Sequence, residues 1–311
     1  MGPIRIASRA SKLALIQSNH VRSLLEGLGC DVEISIVKIS TKGDSDKSDF
    51  LYKSDSIGFF TSEVENAILD GRADVAVHSL KDLPTAGAEG LIVAAVPKRE
   101  SIADALVAKG PVSSIADLPA GATVGTSSLR RIAQLRRLRN DINCVPLRGN
   151  VETRVSKVAE GRVDAAVIAC AGLNRMGLED KISAVLPPDE FLPAPAQGAL
   201  AVQIRDADAE LGELVGRLDD KNARLGAETE RHILASMHGG CSIPLGVYTR
   251  ICDDTISIDA IICDLEGKRC IKRSKTVPVT QAKTCAEEMA DELLNAGGRE
   301  ILKEIRNTPS Q

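Results

Sequence analysis

The sequence predicts an α/β protein of two or three domains, with a smaller α+β domain toward its C-terminus. Three observations carry this. The chain has 311 residues, too many for one simple core. Up to about residue 200, short apolar runs of strand length alternate with amphipathic helical segments, the βαβα order of parallel sheets flanked by helices. From about residue 220 that grammar gives way to one helix, three alternating strands and a helical end.

A strand around Ile4–Ala7 precedes a helix from Lys12 to Leu28, where Leu13, Ile16, Val21 and Leu24 recur at helical spacing and Gly27 and Gly29 stop it. "DVEISIVKIS" alternates at Val32, Ile34 and Ile36 as a strand, and the polar, glycine-bearing "TKGDSDKSDFLYKSDSIGFF" has the profile of a loop that closes over ligands. Ser62 and Glu65 are spaced as a capping box opening a helix to Leu69. "ADVAVHSL" then reads as a buried strand whose end bears Lys81 and Asp82, and "LIVAAVP" and "IADALVAK" are further strands. "ATVGTSSLRRIAQLRRL" is a strand, a Thr/Ser turn and a helix, and "INCVPLRGN", "VETRVSKVAEG", "DAAVIAC" and "AGLNRMG" continue the alternation. The proline-rich "LPPDEFLPAPAQG" marks a hinge, after which "GALAVQIR" returns to strand character. A helix from Asn222 to Met237, three strands near 246–277 and a helical C-terminus broken at Gly297 and Gly298 complete the pattern. The expected division is 1–98 plus 198–217 for a first α/β lobe, 99–197 for a second, and 218–311 for the α+β domain. The two lobes look alike in pattern, without a clear sequence repeat between them.

Composition narrows the function. Hydrophobic residues at 43% and charged residues at 26% fit a folded soluble chain. No run approaches the roughly 18 apolar residues of a membrane span and the N-terminus has no apolar signal core, so a cytoplasmic protein with no membrane partner is expected. Eight cysteines without a C-x-x-C pair indicate neither a zinc site nor a disulfide framework, and reduced thiols are expected. The four histidines lack metal-ligand spacing, and there is no P-loop or G-x-G-x-x-G, so neither a metal nor a nucleotide cofactor is expected.

Against a formal net charge of −4, "GTSSLRRIAQLRRLRN" concentrates five arginines. Ser127 and Ser128 stand where a strand meets a helix, so free N–H groups and the positive helix end favour an anion there, with Arg130 and Arg131 adding guanidinium forks. The stretch alone fits equally well a capped helix with a solvated basic face, to which Arg136, Arg137 and Arg139 are assigned. Its context favours the anion. Arg148 ends the next strand, Arg154 lies in the following helix's first turn, and Arg9 and Arg175 also follow strands, so four strand ends offer arginines to one crevice. Arginine suits carboxylate or phosphate held in bidentate fashion. Asp82 would be a carboxylate facing that crevice, although Asp-x-Pro is by itself ordinary turn chemistry. Cys241 follows Gly239 and Gly240 at a helix end with nothing bulky to shield its sulfur, open both to a reactive role and to none.

Taken together, "RIASRASKLAL", "ADVAVHSLKDLP", "VGTSSLRR", "LRGNVETR", "LPAPAQGALAVQ" and "HGGCSIPLG" resemble the porphobilinogen deaminase family over residues 4 to 307. The resemblance implies two periplasmic-binding-protein-like lobes and an α+β domain presenting a cysteine on a loop. It implies a monomeric transferase of tetrapyrrole biosynthesis that condenses four porphobilinogens head to tail into hydroxymethylbilane, releasing four ammonia molecules. Cys241 would hold a dipyrromethane cofactor through a thioether, and Asp82 would meet pyrrole N–H groups and stabilise developing positive charge. A chain growing to six rings brings about a dozen carboxylates together, which explains the arginines. Carried over, Arg9, Ser11, Lys81, Arg130, Arg131, Arg148, Arg154 and Arg175 match carboxylate-binding positions, and Thr126 and Ser128 match hydrogen-bonding positions. Gln197 lies in the hinge motif, Phe60 matches an aromatic near the pyrroles, and Asp44 precedes the loop. The chain departs from the family at "SIGFF", where Ile57 stands for a lysine, with Lys53 nearby as partial compensation. Two rival readings remain at this point: a two-lobed binding protein for a small organic anion, and a nucleic-acid binder, the latter disfavoured by the acidic total and only six aromatic residues, four Phe and two Tyr.

Overall fold

The computed structural model describes residues 2–29, 32–41, 61–237 and 243–307. It parts into two compact units. One gathers the described residues up to Glu100 together with Gly198–Leu225; the other holds Ser101–Gln197 and the described residues from Gly226 onward.

In the first unit, β1 (Ile4–Arg9), β2 (Ile34–Ile39), β3 (Val75–Ser79) and β4 (Leu91–Ala95) join a strand from much later in the chain, β10 (Leu200–Arg205), in the order β2-β1-β3-β10-β4. β1 pairs parallel with β2 and β3, whereas β10 runs antiparallel to β3 and β4. Side chains alternate across the sheet. Ile4, Ile6, Val75, Val77, Val202 and Ile204 pack on one face with Val21 and Leu25 of α1 (Lys12–Glu26). Ala7 and Ala76 face Val64, Ala67 and Ile68 of α2 (Ser62–Leu69) on the other. Each fully buried Ile, Leu or Val contributes roughly 1.5–3 kcal/mol, so the two apolar layers fix the sheet's register and hold its ends still.

The second unit repeats this plan. β5 (Asp104–Ala108), β6 (Thr123–Gly125), β7 (Asn143–Val145), β8 (Ala165–Ala169) and β9 (Ala184–Leu186) form a sheet ordered β7-β6-β8-β5-β9. β6 is parallel to β7 and β8, and β5 is antiparallel to β8 and β9. Leu135 of α3 (Leu129–Leu138) packs with Leu106, Val124 and Val167 on one face. Val158 of α4 (Val151–Ala159) and Leu173 of α5 (Cys170–Arg175) pack with Val107, Ala166 and Ile168 on the other. Two five-stranded sheets thus share one topology, in which an antiparallel strand replaces the fully parallel arrangement that the βαβα order predicts. β10 follows the proline-rich hinge and β5 follows residues 96–103, and neither segment carries a helix to impose a parallel crossover.

Helix α6 (Ala209–Gly216), which the sequence pattern does not single out, packs Leu211 and Leu214 on the first unit's core. After α7 (Lys221–Ser236), strands β11 (Leu245–Cys252), β12 (Thr255–Cys263) and β13 (Cys270–Pro278) make the expected antiparallel meander. Helix α8 (Ala282–Leu293) and α9 (Arg299–Asn307) flank a break where Gly297 takes φ 115°, a left-handed conformation that glycine adopts freely.

Two local expectations are corrected. Thr61, not Ser62, caps α2 and makes no side-chain cap bond, and Glu65 is drawn inward to accept from Gln203 instead (3.1 Å). The expectation of reduced thiols throughout fails at one pair: Cys263 and Cys270 face each other in the β12–β13 register, with Cα atoms 4.2 Å apart, and form a disulfide. A spacing of seven residues does not announce the pair until the hairpin register is known.

Candidate active site

In each unit the carboxyl ends of the parallel strands lie along one edge of the sheet, and the antiparallel strand begins at that edge. Chemistry-bearing residues collect there because the strand ends release the chain into loops and helix N-termini while the sheet fixes their starting points.

In the first unit Arg9 is the last residue of β1, and Ser11 caps α1 by accepting from Ala14 N (3.4 Å). β3 ends at Ser79, and a single 3-10 turn, Leu80–Asp82, carries half-buried Lys81 and exposed Asp82. That turn is held from below. Leu80 is buried and its N–H donates to Ala199 O (3.0 Å), while buried Gln17 of α1 donates Nε2 to Ser79 Oγ (2.9 Å). One residue earlier, buried His78 bonds to Gln203 Oε1 (3.1 Å), whose own amide reaches Glu65. Burial pushes the His78 pKa down to about 4, against the Gln203 bond and reinforced by the charge of Arg9, so this imidazole is neutral at pH 7. Sequence reasoning passed over His78, Gln17 and Gln203, because a polar residue within an apolar run reads as solvent-facing until its partners are known.

In the second unit Gly125 ends β6 where a Cβ would lie 2.8 Å from the Leu147 side chain, so the absence of one lets the β6 and β7 ends close up. Ser127 stitches them, its Oγ donating to Leu147 O (3.3 Å) and accepting from Leu147 N (3.2 Å). Buried Thr126 accepts at Oγ1 from Ser128 N (3.2 Å), and Ser128 caps α3 with its backbone alone. Arg148 follows β7, its carbonyl accepting from Lys157 Nζ (3.0 Å). Asn150 caps α4 by accepting from Thr153 N (2.9 Å), and Arg154 Nε donates to Gly149 O (2.9 Å). Arg175 closes α5, directly after β8.

Arg130 and Arg131 are nearly buried, at 3% and 6% exposure, on the first turn of α3. Both meet Asp104, which is fully buried as the first residue of β5. Arg130 Nη1 donates to Asp104 Oδ2 (2.7 Å) and Leu192 O (2.8 Å). Arg131 donates from Nη2 to Asp104 Oδ1 (2.7 Å) and from Nη1 to Val167 O (2.9 Å). Gln197, fully buried, adds Nε2 to Asp104 Oδ1 (3.0 Å) and to Ile102 O (2.8 Å). Burial alone would raise the Asp104 pKa, but the two guanidiniums outweigh it and carry the carboxyl far below its usual range. Burial lowers the Arg130 pKa, with Asp104 opposing, and an arginine still remains charged. The Nε atoms of both arginines are buried and have no hydrogen-bond partner.

Arg136, Arg137 and Arg139 do not form a solvated face. Arg136 Nη1 donates to Leu265 O (2.9 Å), Arg137 Nη2 to Glu190 O (2.5 Å), and Arg139 to carbonyls of Ala116 (3.0 Å) and Leu118 (3.2 Å) as well as to Asp141. They fasten α3 to its neighbours, so the five-arginine run divides into two buried against Asp104 and three that bond carbonyls and more exposed acids, Arg136 meeting Glu266 and Arg139 meeting Asp141. The hinge is fixed as well: Ala196, at φ 60°, gives its N–H to buried Glu230 Oε2 (2.7 Å), whose Oε1 accepts from Thr249 (2.7 Å). Asp104 and Glu230 were not anticipated. A lone acid opening "DALVA" was the available signal for the former. Asp44, Lys53, Ile57, Phe60 and Cys241 lie outside the described residues. Among the described residues no helix is long and apolar enough to cross a membrane, and no group of three or more His, Cys, Asp or Glu is placed to hold a metal ion.

Comparison with known proteins follows the same lines. A family model described as "Porphobilinogen deaminase, dipyromethane cofactor binding domain" matches residues 4–213, and a second, "Porphobilinogen deaminase, C-terminal domain", matches residues 225–295. The porphobilinogen deaminase of Maridesulfovibrio salexigens is 43% identical over 305 residues, 98% of this chain and 99% of the relative. That of Syntrophobacter fumaroxidans is 40% identical over 302 residues, 97% of each. Among solved structures, the periplasmic aliphatic sulphonate binding protein SsuA from Escherichia coli aligns at TM-score 0.40 and 18% identity, covering 76% of this chain and 71% of that one.

Proposed function

The chain belongs to the porphobilinogen deaminase family, and from that premise we propose that Cys241 anchors its dipyrromethane cofactor, that Asp82 serves the chemistry, and that the arginines of the two strand-end edges hold pyrrole carboxylates. The enzyme is a transferase of tetrapyrrole biosynthesis, joining four porphobilinogens head to tail into hydroxymethylbilane with release of four ammonia molecules. The single observation that carries the residue assignment is the pair of buried, unpartnered Nε–H groups on Arg130 and Arg131. Buried donors demand acceptors, and the carboxylate arms of a pyrrole chain are acceptors of the right charge. The donor set therefore fits the cofactor.

When bound, the dipyrromethane supplies a primer whose terminal pyrrole carbon is nucleophilic. Everything else falls to the chain's own side chains. Arg9, Ser11 and Lys81 in the first unit, and Thr126, Ser128, Arg148, Arg154 and Arg175 in the second, are assigned to orientation of acetate and propionate arms; guanidinium forks fix the plane of a carboxylate as well as its position. Gln197 acts one step back, on Asp104. Asp82 remains exposed, where its carboxyl group is available to pyrrole N–H groups and to the positive charge that grows as the C–N bond to ammonia breaks. The same carboxylate could accept the proton that carbon–carbon bond formation releases. Asp44, Lys53 and Phe60 are assigned to the loop side of the site, with Ile57 in place of a charged contact. The reading also includes the three-part division at 98, 197 and 217, and a cytoplasmic monomer.

Intact-mass analysis tests the anchor. Wild-type protein is expected to exceed its sequence mass by two linked pyrroles, and Cys241→Ala to lose that increment; an unmodified wild-type chain defeats the assignment. For Asp82→Ala the expected loss of ammonia release is roughly 10²- to 10⁴-fold at an unchanged melting temperature. Near-normal turnover removes Asp82 from its role.

A further inference from the structure

Nothing in the family assignment explains Asp104, a buried acid set between two residues whose task is to bind acids. We propose that Asp104 is a positioning residue that fixes both guanidiniums and sets the charge of this subsite at a single positive unit, matching it to one carboxylate arm. The inference rests on the reading above and deepens it.

The geometry carries the argument. Asp104 opens the antiparallel strand β5, and its register partner Ala169 closes β8, so the carboxylate stands at the same sheet edge as the N-terminus of α3. Each carboxylate oxygen takes one arginine Nη group at 2.7 Å. Arg130 Nη1 donates also to the Leu192 carbonyl, and the other Nη of Arg131, Nη1, donates to that of Val167. Both guanidiniums are thereby locked in plane by rigid acceptors, and Nε of each is buried without a hydrogen-bond acceptor. Gln197 in turn holds Asp104 Oδ1, so the carboxylate cannot swing away to serve one arginine better than the other.

The charge count makes the second point. Two guanidiniums and one carboxylate leave one positive charge in a region with almost no solvent. Without Asp104 two like charges would be buried side by side, which burial penalises and which neither arginine can escape by losing a proton. With Asp104 the residual charge equals that of one carboxylate ligand, so capture neutralises the cluster. A buried ion cluster is seldom chosen for stability, because well-packed apolar residues serve as well or better, and retention of this one at the site edge points to its use.

The test compares Asp104→Asn and Asp104→Glu holoenzymes with Asp74→Asn, which disrupts the Arg5–Asp74–Arg205 cluster at the opposite edge of the first unit's sheet. Loading is read by intact mass, and KM and kcat for porphobilinogen are measured on the loaded fraction. Asp104→Asn is expected to raise KM about tenfold or more and to reduce the loaded fraction, and Asp104→Glu to stay loaded with KM raised about threefold, while Asp74→Asn keeps both near wild type. Wild-type KM and loading in Asp104→Asn, or an equal KM shift in Asp74→Asn, overturns the proposal. If Asp104→Asn does not fold, Asp104→Glu decides: an unchanged KM overturns it. A wild-type enzyme without the two-pyrrole mass would instead defeat the functional reading and leave the positioning geometry aside.

Discussion

Among the described residues, each unit has an Arg–Asp–Arg cluster, built from the same residue types on sheets of the same topology. In the first, Asp74 stands just before β3 at the amino edge of the sheet and meets Arg5 (3.0 Å) and Arg205 (3.1 Å), with side chains 16%, 41% and 28% exposed. Arg5 spends its Nε on Asp74 Oδ2 (3.0 Å), and Arg205 takes the Ile68 and Ala73 carbonyls (both 2.9 Å). In the second, Asp104 stands at the carboxyl edge with Arg130 and Arg131, all nearly dry, and both Nε atoms are left over. The half-exposed cluster ties strands together with its donors spent inward; the buried one leaves both Nε–H groups without an acceptor, at the sheet edge where α/β folds commonly bind ligands. Composition does not separate them, whereas sheet edge, burial and the fate of Nε do.

That contrast is broken or sharpened first by truncation. Asp104→Ala leaves two guanidiniums buried without their counter-charge, so urea unfolding at pH 7 is expected to lose about 3–5 kcal/mol. A loss below about 1 kcal/mol would mean that solvent reaches the pair and that the cluster is not of the buried kind.

The fold was legible wherever an element buries apolar side chains in a run or repeat of its own length. Ile4 and Ile6, the "VAVHS" strand, the "ATVG" strand-to-helix unit and the three-stranded meander all repeat apolar residues at the period their geometry demands. Strand direction was not legible, because β5 and β10 enter their sheets from hinge segments whose course depends on tertiary packing. The site divides the same way. That Arg9, Asp82, Arg148 and Arg175 stand at or just beyond strand ends follows from the βα order, whereas their assignment to the site comes from the family resemblance. Asp104, Gln197's bond to it, and the His78–Gln203–Glu65 chain depend on partners 26 to 138 residues away in sequence, so no local pattern announces them. The arginine run shows the limit most plainly: Arg131 and Arg136, on one helix five residues apart, look equivalent as letters, and only the helix's neighbours separate the one held on buried Asp104 from the one fastened to the Leu265 carbonyl.

The first unit also buries a titratable group behind its carboxyl edge, but a neutral one. His78 has its folded pKa lowered to about 4 from 6.5, chiefly by burial, so the unfolded chain takes up a proton first as pH falls. Stability from this group is therefore complete above pH 6.5, declines between 6.5 and about 4, and is flat below, a loss on the order of 3 kcal/mol. Urea unfolding of wild type and His78→Gln at pH 7, 6, 5 and 4 measures it as a difference that cancels the carboxylates common to both. Parallel pH curves for the two proteins would show that the imidazole titrates where an exposed one does, and would remove the buried relay behind the Lys81–Asp82 turn.

The smallest effect belongs to the open cluster. Burial would raise the Asp74 pKa, and the bonds from Arg5 and Arg205 overcome that and lower it, so its contribution persists above the unfolded carboxylate range and is lost in acid. Because its arginines reach solvent, Asp74→Ala is expected to shift the urea midpoint by roughly a third or less of the Asp104→Ala shift. The shift should fade in about 1 M salt, where charges more than about 3 Å apart are screened, while that of Asp104→Ala should hold. Equal salt sensitivity of the two would mean that both clusters sit in water. The reserve of buried donors at the carboxyl edge would then have no dry pocket in which to act.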